Sequence, residues 1–489
     1  MILDIIQTVI NFSNLKNQIR CSQMDKYVYD NIYIYSLNTK YEMDQKIIEK
    51  RIFSKLKKLS CYDNFYIKNV DHLKETLKVL DCGGNCGINQ KGILELKCME
   101  KLKCNRNDKI SDVNHLNKTL KKLKCGGWCG IGQKGISKLE HLEHICCGDN
   151  EKIDNLNHLK DTLKKLDCGG ECGIDQNTIL ELKNIEKLDC SYNNKINDVN
   201  HLKNTLKVLD CENASCGIDQ SGISELLYLE KLNCHHNDKI SDVNHLKNTL
   251  KKLVCGGGFD QEGISQLKYI EYLNCSQSYE INNLNHLKDT LKTLHCRENC
   301  GVDQKCISEL KCIRKICCNY NDKITNVNHL KNTLEILYCA GRCGMDQEGI
   351  SELRRIKKLN CRNNYNVHNL NHLKDTLRVL NCADDSGINQ KSISELKYIE
   401  HLNCGHNNRI DDVKGKIFFP FNPRPSRWSR VNHLKNTLVT LCCGGECGID
   451  QKGISELKRI EMIYCSYNNK IKNLPKNING KFAGPFKIY

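Results

Sequence analysis

The sequence predicts an α/β solenoid, a chain of stacked rungs that each contribute one short parallel strand. Three observations predict it. An Asn-His-Leu tripeptide, Asp-His-Leu at its first occurrence, recurs with a period of 43 residues and places His72, His115, His158, His201, His245, His286, His329, His372 and His433. A column of 19 cysteines runs from Cys61 to Cys465 at spacings of 20 to 23, broken once by the gap of 39 between Cys404 and Cys443. Around that column the chain alternates, as in Leu59-Ser60-Cys61 and Leu80-Asp81-Cys82. Alternation sends Leu and Cys to one side and the middle residue to the other, as a strand requires.

The elements follow in chain order. Residues 1–54 lack the repeat; Leu3, Ile6, Val9, Ile10 and Phe12 fit one helix face and Leu15 and Ile19 begin another, so a helical N-terminal cap is expected. Residues 55–475 form one solenoid rather than three globular domains. It should present a parallel concave sheet of about 19 short strands, with N-H-L-K-N-T-L-K and G-I-S-E-L-K supplying short turns or helical segments on the convex side. One class of half-repeat carries Asn three residues after the column cysteine, at Asn64, Asn107, Asn150, Asn193, Asn237, Asn321, Asn364, Asn407 and Asn468, with Ser278 as the exception. A buried carboxamide there can satisfy backbone groups left over where a strand ends. The other class carries Gly-Gly and then Cys-Gly, the glycines permitting a tight turn.

Two residues before the conserved Leu, Lys78, Lys121, Lys164, Lys207, Lys251, Lys292 and Arg378 alternate with Glu100, Glu143, Glu186, Glu230, Glu271, Glu400 and Glu461. Neighbouring rungs would set opposite charges side by side, and a charge-balanced face argues against a phosphate-binding groove. An insertion at 414–430 interrupts the last repeats, and residues 476–489 read as a C-terminal tail.

The half-repeat L-x-x-L-x-C-x-x-N-x-x-I, as in Ile185-Glu186-Lys187-Leu188-Asp189-Cys190-Ser191-Tyr192-Asn193-Asn194-Lys195-Ile196, resembles the leucine-rich repeat, with Cys where Leu is usual. In its cysteine-rich, Asn-His-Leu form it resembles the leucine-rich-repeat proteins of giant DNA viruses of amoebae. The N-terminal stretch LDIIQTVINFSNLKNQIRCSQMDKYVYD resembles an F-box, with Leu3, Ile6, Ile10, Phe12, Leu15, Ile19, Met24, Lys26 and Tyr27 on its pattern. Asp4 stands where that family has Pro, and Tyr27 where it has Trp. The resemblance implies docking of a ubiquitin-ligase linker through Leu3, Ile6, Ile10, Phe12, Leu15 and Ile19; a plain cap is the other reading.

The chemistry-bearing residues are too periodic for a site. Seven further cysteines, Cys86, Cys129, Cys172, Cys216, Cys300, Cys343 and Cys447, give C-x₃-C spacings in several rungs. A zinc site needs four converging ligands and would not recur on seven rungs while losing its second cysteine at Phe259 and Ser386. These are read as structural thiols. The histidines, on every second rung, lie ~9.6 Å apart, too far to share an ion. No nucleophile elbow, phosphate loop or H-E-x-x-H motif occurs, so no enzyme, cofactor or metal is expected.

The formal charge of +16 comes with abundant Lys, Asn and Ile and scarce Ala, the bias of an AT-rich coding sequence, so nucleic acid is not the favoured partner. No apolar run spans a membrane and no signal peptide is read, which points to an intracellular chain, in the host cytoplasm by the viral resemblance, with reduced thiols. A monomer is expected.

Departures from the period mark candidate partner contacts. The insertion concentrates Phe418, Phe419, Phe421, Arg424, Arg427 and Trp428, residue types enriched in binding hot spots. Tyr272, Tyr338 and Tyr464 interrupt the strand positions, and Tyr192, Tyr320 and Tyr467 follow just past them. The expected function is a non-enzymatic protein-interaction scaffold, in sharper form a substrate-recruiting adaptor of a ubiquitin ligase. The alternative is binding of nucleic acid or another anionic surface through the basic excess.

Overall fold

The computed structural model describes residue 7 and residues 30–39, 43–298, 300–410 and 431–474. It comprises two units, Met1–Ile240 and Ser241–Tyr489. In the first, ten three-residue strands from Ser36–Asn38 to Lys231–Asn233 pair in parallel, each with the next. In the second, ten more run from Lys252–Val254 to Met462–Tyr464 in the same manner. Register is constant, because the apolar middle residue of each strand always faces the next one, Leu59 against Leu80 and Leu80 against Leu102. The ladder is unbroken across the insertion, since His401–Asn403 pairs directly with Thr440–Cys442. Each unit is thus an open leucine-rich-repeat ladder, with short helices and 3₁₀ turns on its return segments.

The core is one apolar stripe repeated. In the repeat around Leu80, the side chains of Leu73, Leu77, Leu80, Cys82, Ile88 and Ile93 are all 0% exposed, each aliphatic contributing ~1.5–3 kcal/mol of burial. The return helices start at polar caps: Asp175 accepts from the Thr178 N–H, Asp303 from Cys306 and Asp450 from Gly453. Two glycine positions explain the Gly-Gly and Cys-Gly signatures. Gly170 sits at φ +68, and a Cβ on Gly87 would lie 2.4 Å from the Phe65 carbonyl oxygen. No described helix is long and apolar enough to cross a membrane.

The buried asparagines hold the rungs in register. Asn107 Nδ2 donates to the carbonyls of Cys82 (2.7 Å) and Ile88 (3.1 Å), and its Oδ1 accepts from the Lys109 N–H. Asn150, Asn193, Asn237, Asn321, Asn364, Asn407 and Asn468 repeat the two carbonyl contacts. The histidines do related work: ring nitrogens of His72, His115, His158, His201 and His433 lie 2.9–3.1 Å from the carbonyl oxygen of an isoleucine one rung back.

Two expectations change. The ladder begins inside the stretch assigned to the cap: Ser36–Asn38 pairs with Lys58–Ser60, Leu37 is buried, and Thr39 takes the cysteine's place. Without Cys the first rung does not register on the cysteine column. The Lys/Glu alternation forms as expected, with Lys78–Glu100 at 2.7 Å, Lys292–Glu271 at 2.9 Å and Lys207–Glu186 at 3.6 Å. But these residues precede the strands and line their N-terminal lip, as Lys78 does before Val79–Asp81. The charge of the open face is set elsewhere.

Candidate binding faces

The first and third residues of each strand point away from the core. In the first unit the first positions include Lys58, Lys101, Lys122, His144, Lys165, Lys187 and Lys231, and the third positions Asp81, Lys103, Lys124, Cys146, Asp167, Asp189 and Asp210. Asp167, Asp189 and Asp210 occupy three successive strands. Burial pushes the Asp189 carboxyl up against the pull of the Ser191 hydroxyl (2.6 Å). Burial also lifts Asp210 to about 6, opposed by the Asn233 amide. Cys146 Sγ donates to Asp167 Oδ2 at 2.8 Å.

The second unit presents a different face. Tyr272 packs on His295 at 5.3 Å between ring centroids, with Lys252 Nζ 4.7 Å from the tyrosine ring. Arg297 Nε donates to Cys317 Sγ at 2.9 Å, and Lys315 Nζ lies 5.5 Å from the Tyr338 ring. Beyond Tyr338 the third positions are Asn360, Asn381 and Asn403, then Cys442 and Tyr464. Each of these three asparagines turns its Oδ1 to the backbone N–H two residues on, at 3.1, 3.3 and 3.2 Å. Their Nδ2 groups therefore form a row of donors with no acceptor among the described residues. A cavity of ≈ 610 Å³ runs along this row, lined by Arg297, Tyr338, Lys358, Val379, His401, Met462 and Tyr464 among others and, among the described residues, by no carboxylate.

The structure thus brings Tyr338 and Tyr464 into one cavity and sets Tyr272 beside His295. Tyr192, Tyr320 and Tyr467 sit on turns instead, at φ +61, +58 and +62, and are 54%, 58% and 84% exposed. Tyr192 lines a second cavity of ≈ 1040 Å³ in the first unit, with Arg106, Asp149, Asp167, Glu171 and Lys195. Phe418, Phe419, Phe421, Arg424, Arg427 and Trp428 lie outside the described residues, as do Leu3, Ile6, Ile10, Phe12, Leu15 and Ile19. Sequence reasoning missed Trp128, 87% exposed on a Gly-Gly turn, and the Asn360/Asn381/Asn403 row. The row was visible as a column of third strand positions, had the strand been read as starting one residue before Leu.

The seven extra cysteines have one explanation. Each reaches back to the column cysteine of the preceding rung, with Sγ–Sγ distances of 3.6 Å for Cys61–Cys86, 3.8 Å for Cys104–Cys129, and 3.6 Å for Cys147–Cys172 and Cys404–Cys447. Cys216 lies beside Cys190, Cys300 beside Cys275 and Cys343 beside Cys318, with Cys216 Sγ donating to the Cys190 carbonyl oxygen at 3.4 Å and Cys343 Sγ to that of Cys339 at 3.0 Å. At Ser386 a hydroxyl replaces the thiol, 3.8 Å from Cys361 Sγ. Phe259 is a different case: it precedes Asp260-Gln261 as Ile88 precedes Asn89-Gln90, so the Cys-Gly pair is deleted and the phenyl ring is buried at 2% exposure. Burial drives the unpaired column thiols Cys82, Cys125 and Cys168 well above the ordinary thiol range. Among the described residues no three His, Cys, Asp or Glu side chains converge to hold a metal ion.

No family model and no curated protein matches the chain. It is similar to the solved structure of an internalin, InlF, from Listeria monocytogenes, at 18% identity over 64% of this chain and 82% of that one, TM-score 0.35. It is similar to TLR13 in its complex with ssRNA13, at 16% identity over 90% and 71%, TM-score 0.47. A third is the functional domain of InlJ from Listeria monocytogenes, described as including a cysteine ladder, at 18% identity over 82% and 73%, TM-score 0.36.

Proposed function

We propose that the chain is a non-enzymatic scaffold that holds a protein partner on the open strand face of residues 241–474. The carrying observation is the ≈ 610 Å³ cavity, where Tyr338, Tyr464, Met462 and Val379 surround the Asn360/Asn381/Asn403 donor row. Aromatic and aliphatic anchors flanked by cations are what a protein hot spot uses. These carboxamide donors, which no described residue accepts, suit main-chain carbonyls of a segment laid across the strands.

In its finer form the reading makes the protein an intracellular viral adaptor, with Leu3, Ile6, Ile10, Phe12, Leu15 and Ile19 docking a ubiquitin-ligase linker. That form rests on the sequence resemblance. The test is affinity capture from host-cell lysate with the full chain and with Tyr338→Ala/Tyr464→Ala. A partner lost by the double variant and retained by Tyr467→Ala supports the face; equal capture by all three removes it. Capture of the ligase linker, abolished by Ile6→Asp/Ile10→Asp, supports the adaptor form, and its absence removes that form alone.

A further inference from the structure

The strands Lys101–Lys103 and Lys122–Lys124 are adjacent, parallel and in register, with Lys101 opposite Lys122 and Lys103 opposite Lys124. First and third residues share the open face, so four ammonium-bearing side chains leave one patch. Its sides are about 4.8 Å across the strands and about 6.6 Å along them. Like charges directly opposite on neighbouring strands destabilise a sheet. Only one is neutralised: Lys103 Nζ lies 3.1 Å from Asp81 Oδ2. Lys101, Lys122 and Lys124 make no ion pair with any described residue. The next strand, His144–Cys146, adds no carboxylate. Burial, then Lys103, Lys122 and Lys124, lower the Lys101 pKa, with Asp81 opposing. Burial, Lys124, Lys165 and Lys122 do the same to His144.

The repeat consensus does not produce this patch. Lysine at the first strand position is common, but its partner at the third is Ser60 beside Lys58, Asp167 beside Lys165, Asp189 beside Lys187 and Asn233 beside Lys231. Among the described strands only these two carry lysine at both positions, and they are neighbours.

We propose that Lys101, Lys103, Lys122 and Lys124 form a binding site for a compact polyphosphate group, two or three linked or clustered phosphates on a small molecule or a headgroup. Lysine ammoniums are point charges on flexible stems and match phosphate without demanding one geometry. The patch is one strand spacing wide, which suits a few phosphates rather than a long strand. No Tyr, Phe or Trp occupies a first or third position of the first unit's strands, so bases would find no stacking platform there. The four positions also offer no apolar anchor for a protein.

The test is titration calorimetry of the full chain with inorganic tripolyphosphate at 50 and 300 mM salt. Binding should weaken with salt, and Lys122→Gln/Lys124→Gln should weaken it by about tenfold or more. Lys58→Gln/Lys231→Gln, which removes isolated lysines of the same stripe, should leave it nearly unchanged. Lys122→Gln/Lys124→Gln should unfold at a temperature no lower than the parent, because it relieves repulsion. Absence of binding to the parent chain overturns the proposal, and so does equal weakening by both double variants. Sedimentation with phosphatidylcholine vesicles, with and without a bisphosphorylated inositol lipid, then separates the sources. Vesicle capture lost in Lys122→Gln/Lys124→Gln identifies a headgroup, and calorimetric binding without capture a soluble ligand.

Discussion

Replacing Asn193 by Ala should be among the most damaging single changes in its rung. Asn193 is 1% exposed. Its Nδ2 donates to the carbonyls of Cys168 (2.9 Å) and Ile174 (3.2 Å), and its Oδ1 accepts from the Lys195 N–H (2.9 Å). Alanine leaves two carbonyls and one N–H without that partner at the junction of two rungs. A buried polar group stripped of its partner costs ~1–3 kcal/mol. A water entering the vacated space would return part of that, so a loss of about 3–5 kcal/mol is expected. Asn193→Asp should be no milder at neutral pH, because it turns a second oxygen toward two carbonyl oxygens. Asn193→Ser should be milder than Ala, since Ser278 at the equivalent place donates to the Gly256 carbonyl at 2.7 Å. Urea unfolding gives the energies, and hydrogen exchange should show lost protection centred on residues 190–200. The neighbouring exposed Asn194→Ala should stay within about 0.5 kcal/mol. If Asn193→Ala costs less than about 1 kcal/mol, or no more than Asn194→Ala, the carboxamides do not hold the rungs.

Thiol chemistry and pH offer two further checks. Among the described cysteines, Cys98, Cys312 and Cys442 are half-buried and the rest buried. Burial lifts Cys442 to about 11, so brief alkylation of the native chain should modify Cys98 and Cys312 first; early modification of Cys82 or Cys125 in mass spectra would contradict the packing. Burial lowers the pKa of His72, His144, His158, His201, His286, His329 and His372, and takes His295 to about 4. The unfolded chain then binds more protons than the folded one below pH ~6.5, so stability present above that pH is lost as the pH falls through the folded values. Asp189 and Asp210, both raised, act in the opposite sense but are two groups against eight. The urea midpoint should therefore fall between pH 7.5 and pH 5.0, and a midpoint that holds or rises would refute the assignment.

What was legible in the sequence was what repeats. The Leu-x-Cys alternation gave strand, buried face and register together, because a period of two admits one arrangement. The asparagine column was legible because a carboxamide at a strand end has few other uses. Position along the strand was less so. Two residues before a buried Leu is in phase with it, so Lys78 and Glu100 invited the reading of a strand face; the chain enters the strand one residue later, and their charges stay at its lip. The first rung escaped because Thr39 gives the hydroxyl that Asn64 uses where other rungs place a thiol. Phe259 passed for a lost cysteine because a two-residue deletion and a substitution look alike without the turn geometry.

Periodicity also says where to look for function. A residue that recurs on every second rung meets the needs of stacking, and the paired thiols, buried asparagines and capped turns all do so. A ligand makes a local demand, so its residues must break the period. At the first and third strand positions the backbone is indifferent to side chain, since both leave the sheet on its open side. There residues 101–124 hold four lysines at the cost of cross-strand repulsion. Around one cavity between residues 338 and 464 stand two tyrosines, three aligned carboxamides and, among the described residues, no acid. Neither arrangement improves the stacking of a rung, and the first works against it. Side chains that cost stability where cheaper ones would fit are the ones whose retention a bound partner would explain.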